Sequence, residues 1–312
     1  MVSIVIPVYK VEKHIKRCLD SILAQTFQDF EIILINDNSP DNSREIIENY
    51  ARNDNRFRIV DNEENSGAAW SRMVGYSNAH GEYITFYDPD DFLPKDALEM
   101  LYNAMVQDGV ADICIGNYQR VFPDGSKSAI YENHLKYGHD KWSVAKSTLK
   151  KETPHYLWNK MYKTELFKQK ELVTYKNFSK SSDEFLFFQV LQNSNKAINI
   201  NNLVYFYYDN KESASYNKDN ENALKAMIIS QKYVENCYKK HEDFTTLINE
   251  VKVKKYTHFI TIAGSNKKLL KLVFNNNIDY LFTPWNLLKK FDNRKAIRVF
   301  YKYIKARIIS FT

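Results

Sequence analysis

Several things are scarce in this chain, and each shortage closes off a class of protein. Cysteine is limited to Cys18, Cys114 and Cys237, which lie far apart and make no C-x-x-C spacing. An odd, scattered count without a metal-binding pattern reads as buried thiols in a reducing compartment, not as a disulfide framework or zinc centre. No apolar stretch of 18 residues occurs, and Met1 leads straight into Val2-Ser3-Ile4-Val5-Ile6 with no charged or apolar leader before it. The expectation is a cytoplasmic chain that is neither secreted by a signal peptide nor membrane-spanning. No Arg/Gly-rich or zinc-finger-like run points to nucleic acid. Internal repeats and low-complexity linkers are missing too, and glycine numbers only 8.

What remains is ordinary in bulk and informative in detail. The 312 residues are 44% hydrophobic and 26% charged, which suits one large globular domain or two modest ones. Net charge is +6, and much of it sits at the end: Lys289, Lys290, Arg294, Lys295, Arg298, Lys302, Lys305 and Arg307 face one acid, Asp292. Over the first hundred residues short apolar runs alternate with amphipathic stretches. Strands are expected at Val2–Val8, Phe30–Ile35, Arg56–Val60 and Tyr83–Tyr87, with helices at 11–25, 43–52 and 68–78 between them. That β-α-β-α-β-α-β order with short connections calls for a parallel sheet covered by helices on both faces. From about 100 to 216 the pattern is mixed, with helices at 97–108, 142–149 and 182–191 and strands at 112–118 and 203–208. Beyond about 220 it is helical.

Ligands of such sheets bind beyond the carboxyl ends of the strands. Polar clusters stand there: Pro7-Val8-Tyr9, Asn36-Asp37-Asn38-Ser39 and Asp88-Pro89-Asp90-Asp91. Three carboxylates in four positions repel one another, and a hard cation such as Mg²⁺ or Mn²⁺ among their oxygens relieves this. Asp88 and Asp90 are two apart, so in extended chain they share a face. An acidic turn, with Asp91 capping the helix near Leu93-Pro94, is the plainer alternative. Asp37 follows a buried strand, where its carboxylate can accept a base N–H such as the N3–H of uracil; an Asx turn is the alternative, and Asp41 suits the cap of the next helix. Asn65-Ser66-Gly67 opens a helix whose free N–H groups a ligand can approach. Arg72 lies one and a half turns on, in reach of phosphate or the carboxylates, or else an ordinary surface arginine. Asp183 and Glu184 begin an apolar helix, where a carboxylate can take a proton from a hydroxyl or merely cap.

Taken together, Val2-Ser3-Ile4-Val5-Ile6-Pro7-Val8-Tyr9, Ile35-Asn36-Asp37-Asn38-Ser39-Pro40-Asp41-Asn42-Ser43, Asn65-Ser66-Gly67 and Asp88-Pro89-Asp90-Asp91 resemble the family 2 glycosyltransferases of bacterial surface polysaccharide assembly. The resemblance extends through Leu157-Trp158-Asn159-Lys160-Met161-Tyr162, a segment common in capsule and lipopolysaccharide transferases, and Ser182-Asp183-Glu184, so it covers roughly the first 215 residues. It implies an α/β GT-A (Rossmann-like) fold in residues 1–216, with a nucleotide-binding half at 1–100 and an acceptor half at 101–216. Residues 217–312 would be a C-terminal helical extension. It also implies an inverting, metal-dependent transfer of a sugar from a nucleotide donor, usually UDP-linked, to a hydroxyl of a saccharide or lipid-linked saccharide. By resemblance Pro7, Val8 and Tyr9 line uracil and ribose, Asp37 binds the base, and Gly67 and Arg72 complete the donor side. Asp88 and Asp90 form the D-x-D pair on ribose and on Mn²⁺ or Mg²⁺, with Asp90 the more direct ligand, and Asp183 is the catalytic base.

Trp158, Asn159, Lys160 and Glu184 are expected on the acceptor side, an indole face matching the C–H face of a pyranose and Lys160 holding a phosphate or the base. A core tryptophan is the alternative. Lys10 stands where the family often has Asn, Asn38 where it often has Gly, and Ser182 where it usually has Glu. Tyr208, Asp209 and Asn210 replace an arginine often found there. Two other classes come into view, a sugar nucleotidyltransferase and a non-catalytic module of the same fold. The first lacks its Gly-rich, basic loop after strand one, and intact Asp88, Asp90 and Asp183 argue against the second. In 294–309, Ile297, Phe300, Tyr301, Ile304 and Ile308 recur at helical spacing beside basic Arg294, Arg298, Lys302 and Lys305. Such a helix either lies on an anionic membrane or packs on the domain.

Overall fold

The structure is a computed structural model that describes residues 1–135, 138–168, 172–178, 181–211, 220–276, 282 and 293–311. Two compact units divide the chain, Met1–Tyr216 and Asn217–Thr312.

The first unit opens with β1 (Val2–Val8), α1 (Ile15–Leu23), β2 (Phe30–Asn36), α2 (Ser43–Asn53), β3 (Phe57–Asp61), α3 (Ala68–Ser77) and β4 (Tyr83–Phe86). Every residue of β1 is buried, as expected of a strand covered on both faces, so it reads as a continuous apolar run and not as alternation. Ile15, Cys18, Leu19 and Ile22 of α1 are buried at the spacing of one helix face. α1 starts later than expected because residues 11–14 form a turn, His14 N–H donating to the Val11 carbonyl.

There follow α4 (Ala97–Asp108), β5 (Ile113–Val121), β6 (Lys127–Tyr131), α5 (Lys141–Leu149), β7 (Lys160–Lys163), α6 (Ser182–Asn193) and β8 (Ala197–Tyr208). The sheet runs β3-β2-β1-β4-β7-β5-β6, with β8 on β5. β1, β2, β3 and β4 pair in parallel, as does β8 with β5. β7 lies antiparallel between β4 and β5. It was invisible in the sequence: four residues are too few for a period to show, so the mainly parallel sheet carries antiparallel strands in its middle.

Register decides what meets at the rim. Val8 pairs with Asn36, and Val5 pairs with Phe86, so the chain leaves β1, β2 and β4 close together at their carboxyl ends. Asp41 is not the N-cap of α2, a position that Asn42 takes without a side-chain bond; one residue earlier, its carboxylate accepts from Ser43 N at 3.2 Å and from Glu12 N at 3.1 Å, tying the first two rim loops together. α3 begins at Gly67, whose φ of 88° and ψ of 159° lie in a region essentially closed to residues with a Cβ.

The second unit holds α7 (Asn220–Tyr238), α8 (Glu242–Ala263), α9 (Lys267–Phe274) and α10 (Asn293–Phe311). Its core joins Val253, Tyr256 and Phe259 of α8, Leu270 and Val273 of α9, and Ala296, Val299, Tyr303 and Ala306 of α10. Of the apolar stripe read in the sequence, Phe300 packs against this core. Tyr301, Ile304 and Ile308 are exposed. Lys289, Lys290 and Asp292, and the side chains of Arg294 and Ile297, lie outside the described residues.

Gly67→Ala should destabilise the protein by about 1–3 kcal/mol, the cost of a strained backbone conformation. Urea unfolding followed by tryptophan fluorescence measures it, and a midpoint equal to wild type would contradict the requirement for glycine there.

Candidate active site

The centre of the site is a buried arginine. Arg72, on the inner face of α3 and 4% exposed, sends Nη2 to Asp88 Oδ1 at 2.6 Å and Nη1 to Asp183 Oδ1 at 3.0 Å. Asp183 is 111 residues away in sequence, so the first turn of α6 is brought to the end of β4. Burial works against the Arg72 charge, but Asp183 and Asp88 outweigh it and the guanidinium stays charged. Burial in turn pushes the Asp88 carboxyl up to about 6; Arg72 opposes this, and the like charges of Asp183 and Asp90 add to it. One cation therefore does not fully compensate the negative charge gathered here.

The Asp88–Asp91 loop is braced from β8. Tyr205 Oη donates to Asp91 Oδ2 at 2.7 Å and accepts from Asp88 N at 3.2 Å, while Tyr208 N donates to Asp91 Oδ1 at 2.7 Å. Asp91 is thus not a simple helix cap. It is buried, and burial beside Asp90 and Asp88 raises its carboxyl well above the usual range. Asp90 accepts from Asn210 through its carboxylate at 3.1 Å and from Arg17 through its carbonyl at 2.6 Å. The Arg17 guanidinium lies 3.9 Å over the Tyr208 ring.

Asp37 is buried at 2% exposure and already engaged. Oδ1 accepts from Asn62 Nδ2 at 2.7 Å and Ser66 N at 2.9 Å, and Oδ2 from Gly67 N at 2.8 Å. A carboxylate has about four acceptor sites, so little is left for a base. Asp37 thereby fixes the turn into α3 that aims Arg72, with one acceptor site left over for a base N–H. Pro7 and Val8 are buried within β1 and only Tyr9 is exposed, at 37%. Lys10 (φ 52°) and Asn38 (φ 54°) both adopt left-handed backbone, the conformation that Asn and Gly adopt most readily. This explains the residue types usual at those two positions.

The acceptor-side expectations are also revised. Trp158 is 4% exposed and stacked on both Tyr156 (4.8 Å, 9°) and Tyr205 (4.3 Å, 16°). Asn159 is fully buried and donates to the Gly116 carbonyl at 2.7 Å. Lys160 is fully buried as well, with Nζ on the carbonyls of Pro154 (2.9 Å) and Tyr156 (2.5 Å) and on Asn159 Oδ1 (2.8 Å). It holds backbone, not phosphate. Burial lowers its ammonium well below the ordinary range, with Asp183 pulling the other way. Glu184 is 8% exposed, one residue and about 100° round the helix from Asp183. Neither Ser181 nor Ser182 caps α6 through its side chain; Ser182 Oγ instead lies 3.4 Å from Asp183 Oδ1.

Sequence reasoning missed Tyr205, Asn62 and Arg17, and it named Ser66 and Asn210 without the contacts they make here. Only the Asn-Ser before Gly67 and the aromatic run at 205–208 hinted at any of them. Among the described residues no group of three or more His, Cys, Asp or Glu forms a ready metal cage. Two carboxylates with hard oxygens and uncompensated charge still fit Mg²⁺ or Mn²⁺, which commonly take one or two carboxylates and complete their shell with phosphate oxygens and water.

A doubly wound nucleotide-binding sheet with acidic rim loops is the class this geometry defines, and comparison with known proteins narrows it. Residues 3–175 match the model of Glycosyl transferase family 2, and the chain belongs to that family. It is 32% identical over 224 residues to Glycosyltransferase GlyA of Streptococcus pneumoniae, covering 69% of this chain and 31% of GlyA. The chain thus spans about a third of that relative. Among solved structures, S. aureus TarS 1–349 in complex with UDP-GlcNAc superposes with a TM-score of 0.70 at 19% identity, over 99% of this chain and 90% of TarS 1–349. The mannosyltransferase PcManGT of Pyrobaculum calidifontis, in complex with GDP-Man and Mn²⁺, gives 0.59 at 14% identity over 99% and 86%. The fold is GT-A.

Lys160→Met should cost about 1–3 kcal/mol, since it leaves the buried Asn159 Oδ1 without its donor. Nucleotide affinity of the folded fraction, measured by calorimetry, should stay within about twofold, the size of change expected away from a phosphate contact. A large loss of affinity at unchanged stability would return Lys160 to the phosphate role.

Proposed function

We propose that the chain is an inverting glycosyltransferase that moves a sugar, hexosyl or N-acetylhexosaminyl, from a UDP-linked donor to a hydroxyl of a saccharide or lipid-linked saccharide. Its setting would be synthesis of a cell-surface polysaccharide such as capsule or lipopolysaccharide. One observation carries this reading: the Arg72 bridge from Asp88 at the β4 end to Asp183 at the head of α6. Inverting transfer requires a carboxylate on the side of the anomeric carbon opposite the leaving diphosphate. A site in which one arginine joins Asp88 of the donor-side pair to a carboxylate on another element has the parts for that.

In this proposal Asp183 takes the proton from the acceptor hydroxyl, and Arg72 holds its carboxylate in position. Asp88 and Asp90 would hold Mn²⁺ or Mg²⁺, which when bound supplies positive charge to the departing diphosphate. Tyr9, exposed beside the β1 end, is placed to cover the base. The nucleotide-sugars bound to the structural neighbours, with Mn²⁺ in one of them, support the donor class. The low identity carries the fold and not the specificity.

Two outcomes follow. Asp183→Asn keeps shape and removes basicity, so transfer from a UDP-sugar should fall on the order of a hundredfold or more while UDP binding persists. Near wild-type transfer would place the base elsewhere. Asp90→Ala, or EDTA added to wild type, should abolish donor binding in calorimetry, and an unchanged UDP affinity under chelator would remove the metal from the proposal. Release of UDP from a panel of UDP-sugars with Mn²⁺ identifies the donor.

A further inference from the structure

α10 has two faces with different uses. Ala296, Val299, Tyr303 and Ala306 are buried in the core of the second unit. At 100° per residue, Tyr301 and Ile308 project from nearly the opposite side, with Ile304 beside them. Their exposures are 68%, 59% and 39%. Arg298, Lys302 and Lys305 are exposed along the flank of that apolar strip. Residues 293–311 contain six Lys and Arg and no Asp or Glu.

Single exposed apolar residues are ordinary. Three large ones on one face of a helix whose other face is already packed, bordered by charge of one sign, are a designed arrangement. The sign of the charge selects the partner. Protein-binding patches are depleted of Lys at their centres, whereas helices that lie in a membrane interface combine Lys and Arg with aromatic and aliphatic side chains. Tyrosine suits the headgroup level, with an apolar ring and a polar tip. Among the described residues no helix is long and apolar enough to cross a membrane, so attachment would be to the surface.

We infer that α10 docks the second unit on an anionic bilayer, with Tyr301, Ile304 and Ile308 entering the headgroup boundary and Arg298, Lys302 and Lys305 meeting lipid phosphates. This stands on α10 alone and not on the transferase reading. It also gives a reason for an enzyme of lipid-linked acceptors to wait at the surface where they reside.

The test is co-sedimentation of the full chain with phosphatidylcholine vesicles and with vesicles of mixed phosphatidylcholine and phosphatidylglycerol. Binding should appear on the mixed vesicles at low salt, at least about tenfold above the neutral ones, and fade at high salt. Each basic residue near an anionic surface strengthens attachment about fivefold, so Arg298→Gln/Lys302→Gln/Lys305→Gln should weaken it about a hundredfold. Tyr301→Ser/Ile304→Ser/Ile308→Ser should weaken it at least about tenfold through lost apolar burial. All six side chains are exposed, so circular dichroism should show both variants folded, and UDP release should match wild type. No binding of wild type to mixed vesicles at low salt would overturn the inference, whatever the variants do. So would binding that both variants retain, or a lipid-free dimer that the apolar variant abolishes, which would assign the face to a second copy of the chain. Inactivity toward every UDP-sugar with normal vesicle binding would instead count against the transferase reading alone.

Discussion

One buried ion pair cluster holds the first unit to its purpose. Arg72 lies almost wholly out of water and meets Asp88 and Asp183 with its two terminal nitrogens. Removing one partner from such a cluster costs about 3–5 kcal/mol, because an uncompensated charge stays buried. Everything around it serves its aim. Gly75 has no Cβ, and one placed there would stand 2.2 Å from Val5 Cγ1, so α3 can lie flush on β1. Asp37 accepts from Ser66 N and Gly67 N and so sets the angle at which α3 leaves its turn. Without that turn the guanidinium would not reach two carboxylates from different parts of the chain.

A second brace makes the acidic loop an organised structure. Tyr205 Oη stands between Asp88 N and Asp91, so the far edge of the sheet fixes the Asp88–Asp91 backbone. Trp158 continues this brace, stacked on both Tyr205 and Tyr156. Lys160 ties the Pro154 and Tyr156 carbonyls just before Trp158 in the chain. The Leu157–Tyr162 segment therefore supports the site from within, which gives a physical reason for a tryptophan, an asparagine and a lysine in succession there.

Much of this was legible in the sequence, for reasons that differ by element. β1 and α1 declared themselves because a buried strand and a one-sided helix each leave a pattern. The rim loops followed from the rule that parallel sheets bind ligands beyond their strand ends. Asp88, Asp90, Arg72 and Asp183 were singled out, and the structure brings Asp88, Arg72 and Asp183 into direct contact. Hidden from the sequence was direction. Asp37 and Lys160 have the right chemistry for ligand contacts, but most of their bonding capacity goes to neighbouring backbone and asparagine groups, and no spacing rule shows burial. β7 was too short to carry a period. Tyr205 was one tyrosine among 22, and only the folded register places its hydroxyl on the acidic loop. In α10 the helical period was legible, but the packed face is built largely from Ala296, Val299, Tyr303 and Ala306, and the two alanines are too small to advertise themselves.

The central claim is that Arg72 and Asp183 act as a unit across 111 positions of sequence. A double-mutant cycle with Arg72→Met and Asp183→Asn, read by urea unfolding, tests it most directly. The two changes should be strongly non-additive, with a coupling energy of about 1–3 kcal/mol, as for residues in one salt-bridge network. Additivity within about 0.5 kcal/mol, the behaviour of independent sites, would mean that the arginine does not join the two halves of the site, and the account would fail.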